Sequence, residues 1–133
     1  MTPAPAALPA VSLHVDHEAV LAYAAITDDF NPVHVDEAFA AATPFGRPIA
    51  HGMLSLNLIW QSLRQALGSE VAVSLDIRFV RPVLTGTRVT AGGAARSDGP
   101  GYEVWVRDES GEAVITGVAI PRGEGTTAEG HGA

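Results

Sequence analysis

Met53-Leu54-Ser55-Leu56-Asn57-Leu58-Ile59-Trp60-Gln61-Ser62-Leu63-Arg64-Gln65-Ala66-Leu67 is the longest helical candidate in the sequence. Met53, Leu54, Leu56, Leu58, Ile59, Trp60, Leu63 and Leu67 cover more than one stripe at helical spacing. A helix that is apolar over so much of its circumference has to be buried. Gly68 follows it at once and suits a helix C-cap.

Downstream of this helix the periodicity changes from helical to alternating. Val71, Val73 and Leu75 alternate, Ile77 and Phe79 continue, and Pro82 interrupts. Thr87, Val89 and Ala91 restart a strand that Gly92-Gly93 should weaken. Asp98-Gly99-Pro100-Gly101 is a strong turn, followed by Tyr102, Val104 and Val106 on one face and Trp105 on the other. Glu109-Ser110-Gly111 is a second turn, and Val114, Thr116, Val118 and Ile120 finish the run. Alternation of this kind belongs to an antiparallel sheet with one solvated side. The buried helix then lies on the other side, and the class is α+β.

Upstream, Val11, Leu13 and Val15 alternate as a short strand, and Asp16 can cap a helix from His17. Val20, Leu21, Tyr23, Ala24 and Ile26 give that helix a broad apolar stripe. It should stop near Asp28, because Pro32 pushes Asn31 away from helical backbone. Asp36 to Ala42 reads as another short helix, and Pro44, Gly46 and Pro48 shape a loop beyond it.

The 133 residues fit one domain. Residues 1–10 are Ala/Pro-rich without Lys or Arg, which suits a disordered leader and not a secretory signal. Residues 122–133 are expected to be a flexible tail, leaving residues 11–121 as the working domain. No stretch has the length and polarity of a membrane span, so a cytoplasmic location without membrane partners is expected. The formal net charge of -7 argues against binding a nucleic-acid backbone. The absence of Cys excludes thiolate zinc sites, iron–sulfur clusters and cysteine nucleophiles.

Two polar clusters carry the chemistry. The first is Asp28-Asp29-Phe30-Asn31-Pro32-Val33-His34. A bend at Pro32 can bring the Asp29 carboxylate and the His34 imidazole into one small volume, a pairing suited to acid–base work near neutral pH. Asn31 can orient one of them or cap the following segment. The second is Arg47-Pro48-Ile49-Ala50-His51-Gly52-Met53. There the Gly52 N–H lies among the free donors of the buried helix and can polarise a carbonyl oxygen. Each residue also has a plain structural reading. Asp29 and Asn31 can serve as helix stop and turn former, His34 and His51 as packed histidines, and Gly52 as a tight entry into the helix. His34, Asp36 and His51 can be imagined around a metal, but no local ligand motif such as HExxH supports one. No Walker, GxGxxG or GxSxG motif is present either.

The stretch from Tyr23 to Asp36, with Asp29, Asn31, Pro32 and His34 in place, resembles the hydratase signature of MaoC-like, (R)-specific enoyl-CoA hydratases. Arg47-Pro48-Ile49-Ala50-His51-Gly52-Met53-Leu54 and Phe79-Val80-Arg81-Pro82-Val83, with Gly86 and Val89, match further segments of that family. The similarity runs from about Val11 to Ile120. It implies a single hot dog fold, an antiparallel sheet wrapped around one long helix. It implies a homodimer with active sites at the subunit interface. It also implies a trans-2-enoyl thioester substrate on coenzyme A or an acyl carrier protein, hydrated reversibly to an (R)-3-hydroxyacyl thioester without a cofactor. By the same resemblance Asp29 and His34 are the catalytic pair and Gly52 supplies the N–H for the thioester carbonyl. Asn31 supports the pair and His51 belongs to the substrate-binding segment.

Two positions depart from the family pattern. Asp28 stands where Gly usually precedes the catalytic Asp, and Trp60 stands where small or hydroxyl residues occur, so it is expected to reshape the acyl pocket. The alternatives are a dehydratase of a biosynthetic pathway, a non-catalytic hot dog subunit of a heteromeric dehydratase, and a simple acyl-thioester binding module.

Overall fold

The computed structural model describes residues 5–122. In chain order its elements are β1 (Ala7–Val15), α1 (His17–Thr27), α2 (Pro32–Val35), α3 (Glu37–Ala41), α4 (Gly52–Leu67), β2 (Val73–Phe79), β3 (Thr87–Ala95), β4 (Tyr102–Arg107) and β5 (Ala113–Pro121). The five strands form one sheet in the order β1-β3-β4-β5-β2, and every pairing is antiparallel. α4 packs along β1, β3 and β4. This is the expected α+β hot dog arrangement.

The packing of α4 follows from its sequence. Leu56, Leu58, Ile59 and Leu63 are all buried, together with Ser55 and Ser62. They meet inward residues of the sheet, including Val15, Val89, Val104, Val106 and Ile115. Each large aliphatic side chain removed from water in this way contributes roughly 1.5–3 kcal/mol. The Gly68 N–H closes the helix on the Arg64 carbonyl from a positive φ of 93°. The stripe on α1 is narrower than its composition implies. Only Val20 and Ala24 are buried, and Ile26 keeps 80% of its surface exposed.

The N-terminal boundary also differs. β1 begins at Ala7 rather than at Val11, so Ala7 to Ala10 of the expected leader are strand. Ala7 and Leu8 pair with Ala94 and Gly93 of β3, and Leu8 is buried. The register shifts between Leu8 and Val11, where Pro9 has no N–H to give the ladder. The Pro9 carbonyl instead accepts a 2.5 Å hydrogen bond from the Ser62 hydroxyl of α4. Residues 1–4 of the expected leader and residues 123–133 of the expected tail lie outside the described residues.

β3 runs unbroken through Gly92 and Gly93. A Cβ at Gly92 would stand 3.0 Å from the Trp105 indole nitrogen, and one at Gly93 would collide with Leu8 and the Glu103 carbonyl. Neighbouring side chains therefore cover both glycines. Among the described residues, no helix is long and apolar enough to cross a membrane.

Candidate active site

α1 ends because Asp28 turns left-handed, with φ 58° and ψ 37°, and returns its N–H to the Ala24 carbonyl. It is the one non-glycine residue with positive φ among the described residues. An L side chain there carries backbone strain that glycine lacks. Asp28→Gly is expected to raise the free energy of unfolding in urea by about 0.5–1 kcal/mol, the left-handed penalty of roughly 1–2 kcal/mol less the roughly 0.5–1 kcal/mol entropic cost of glycine. A fall in stability would mean that the Asp28 side chain contributes more than its backbone strain costs.

The turn then places Asp29 and His34. The Asn31 N–H donates to Asp29 Oδ1 at 3.3 Å, and the Asn31 side-chain oxygen accepts from the Val33 N–H at 3.1 Å. Asn31 thus caps α2, with Pro32 at its first position, where a missing N–H costs nothing. Of its two expected roles, capping is the one its side chain takes. One short helical turn carries His34 back toward Asp29.

The segment Ile49–His51 is held from both sides. The Ile49 N–H donates to the Val33 carbonyl at 3.1 Å, and the Ala50 N–H to the Val83 carbonyl at 2.7 Å. The carbonyl of Ile49 meets His34 Nδ1 at 2.7 Å. A carbonyl only accepts, so Nδ1 carries the proton and Nε2 is the nitrogen left to exchange one. His51 is buried, and its Nε2 meets the Asp29 main-chain carbonyl at 2.9 Å. By the same reasoning His51 donates from Nε2. Its ring stacks on His34 with centroids 3.9 Å apart, and Tyr23 meets it edge-on at 5.2 Å. His51 therefore braces both members of the pair.

A cavity of about 360 Å³ opens beside this turn, lined by His34, His51, Gly52, Ser55, Phe79 and Arg81 among others. Gly52 is the first residue of α4, so its N–H has no partner within the helix. An added Cβ would lie 2.9 Å from the Phe79 ring. Asp29 does not line the cavity; its carboxylate is half-exposed, with Oδ2 3.9 Å from His51 Nε2. Trp60 does not line it either. It packs against the hydrophobic core, because it lies on a different face of α4 from Gly52 and Ser55.

Asp29, His34 and His51 each offer a donor atom within 4.8 Å of the other two. One nitrogen of each imidazole is already committed to a carbonyl, and His51 Nδ1 is buried. Ser55 and Phe79 were not among the candidate site residues. The signal for Ser55 is a hydroxyl on the buried face three residues after Gly52.

The description "MaoC like domain" fits residues 3–101 of the chain. The chain is 41% identical over 108 residues to the (R)-specific enoyl-CoA hydratase of Aeromonas caviae, covering 76% of this chain and 81% of that protein. The 3-hydroxyacyl-thioester dehydratase Z of Mycobacterium tuberculosis is 37% identical over 83 residues, covering 58% of this chain and 55% of that one. Among solved structures, the (R)-hydratase of A. caviae superposes with a TM-score of 0.76 at 34% identity, covering 89% of this chain and 94% of that chain.

Proposed function

Since the chain belongs to the MaoC-like dehydratase family, we propose that it is a hydro-lyase that reversibly hydrates trans-2-enoyl-CoA to (R)-3-hydroxyacyl-CoA. One observation carries the reading: Asp29, His34 and His51 bring one donor atom each within 4.8 Å of one another, and the two histidines share a cavity with Gly52, the first residue of α4. Elementary chemistry then assigns the steps. In hydration, Asp29 takes a proton from water as its oxygen bonds to C3. His34, protonated on both nitrogens at the start of this step, delivers the Nε2 proton to C2, and the proton taken up by Asp29 returns to Nε2 before the next turnover. The Gly52 N–H holds the thioester oxygen while enolate charge builds there. In dehydration, neutral His34 removes the C2 proton through Nε2, and protonated Asp29 gives its proton to the departing hydroxide. Asn31 and His51 hold the turn through their contacts around Asp29 and are positioning residues.

The same groups run the reaction in either direction, so a 3-hydroxyacyl-thioester dehydratase, on CoA or on a carrier protein, is the second reading. The relative named as such a dehydratase supports it. A homodimer accords with the exposed Phe79 and Val80 at the cavity, which a second copy would cover. β2, which carries Phe79, is an end strand of the sheet. Arg81, half-exposed at the cavity and 3.0 Å from Glu112, supplies a cation there, which supports a phosphate-bearing thioester such as CoA. CoA chemistry of this kind favours a cytoplasmic setting.

The purified chain is expected to turn over crotonyl-CoA or a longer enoyl-CoA, or to dehydrate the matching 3-hydroxyacyl-CoA. A panel of CoA- and carrier-linked substrates, read by mass spectrometry, decides between the two carriers. Binding across the panel without turnover would favour a thioester-binding module. Activity that appears only with a co-purified second chain would favour a heteromeric subunit.

A further inference from the structure

We propose that Ser55 is a substrate-contacting residue whose hydroxyl donates a second hydrogen bond to the thioester oxygen held by the Gly52 N–H; this rests on the hydratase reading. α4 buries two serines, and they are used differently. Ser62 donates to the Pro9 carbonyl and ties the helix to β1. Ser55 is 2% exposed, and its Oγ has no hydrogen-bond partner among the described residues. Burying a hydroxyl without a partner costs stability, so such a group suggests a role outside the fold. Ser55 also lines the cavity with His34, His51 and Gly52.

Helix geometry supplies the direction. Side chains lean toward the N-terminus of a helix, and residues three apart share a face. The Ser55 hydroxyl therefore lies over the turn that begins with Gly52. A carbonyl oxygen has two lone pairs and accepts two donors. An enolate oxygen gains more from each donor than the ground-state carbonyl does. Both donors sit on one helix, one turn apart, which fixes their spacing.

The test compares the full-length wild type with Ser55→Ala. The variant is expected to lose about 10- to 100-fold in kcat with KM nearly unchanged, within the range for losing one donor to a developing oxyanion. Its melting temperature should hold or rise, because an unpaired buried hydroxyl is gone. Infrared spectra of bound butyryl-CoA, which has no double bond to hydrate, read the contact directly. The thioester carbonyl band should stand at higher wavenumber in Ser55→Ala than in wild type. An unmoved band overturns the proposal, whether kcat is retained or is lost together with melting temperature. Failure of the wild type to turn over any enoyl-CoA or 3-hydroxyacyl-CoA would instead sink the hydratase reading, and the butyryl-CoA comparison would still report on Ser55.

Discussion

Asp29→Asn and His34→Ala are each expected to lower kcat/KM for hydration of a short enoyl-CoA by about 10³-fold, within the range for loss of a positioned acid or base. Asparagine keeps the size of Asp29 and its acceptor oxygen for the Asn31 N–H but cannot take a proton from water. Alanine at position 34 removes Nε2, the nitrogen freed by the 2.7 Å bond from Nδ1 to the Ile49 carbonyl. Neither change should unfold the protein. The Asp29 side chain is half-exposed, and the net value of the His34 hydrogen bond is about 1 kcal/mol. The two groups act on one proton inventory, so the double variant should be little worse than the weaker single one. Steady-state kinetics checked against circular dichroism decides the point. Activity within tenfold of wild type in either variant would remove that residue from the chemistry.

The Gly52 N–H can be deleted without deleting the helix. Proline is tolerated at the first helical position, where it lacks only a donor that the helix does not use. His51 before it has φ -62° and ψ 136°, an extended conformation that proline accepts in its predecessor. Gly52→Pro should therefore fold and lose the donor. It also brings ring atoms toward Phe79, which already stands 2.9 Å from a Cβ at this position. Gly52→Ala controls for that crowding, since it adds the Cβ and keeps the N–H. Phe79 is a half-exposed side chain that can yield. The expected result is kcat for Gly52→Pro about 10²-fold or more below Gly52→Ala. Equal losses in the two variants would assign the effect to crowding and leave the N–H without a role.

Much of the scaffold is legible in the residues because local and tertiary preferences agree there. α4 combines helical spacing with apolar residues on several faces, and Gly68 stops it. Asp16 and Asp36 accept from N–H groups three residues on, as cap residues do. The return of His34 toward Asp29 follows from Asn31 and Pro32, which start a helical turn between them. Elsewhere the outcome depends on distant partners. Ala7 to Ala10 look like a leader because alanine and proline carry no strand signal. They become strand through β3 and the Ser62 hydroxyl. The glycines of β3 hold because Trp105 and Leu8 lie over them. For the site, the spacing of Asp29 and His34 suggests a pair, and the family resemblance names its chemistry. The sequence is silent on which imidazole nitrogen stays free, because that depends on the Ile49 carbonyl fifteen residues away. It is equally silent on the face that Trp60 occupies, and on Ser55 as the serine of α4 without a partner.

The most direct measurement is product analysis after incubating the purified chain with crotonyl-CoA in deuterated water. The expected product is (R)-3-hydroxybutyryl-CoA carrying one deuterium at C2, formed by wild type and essentially absent with Asp29→Asn. Unchanged crotonyl-CoA, with no deuterated 3-hydroxy product from any enoyl thioester in the panel, would contradict the account.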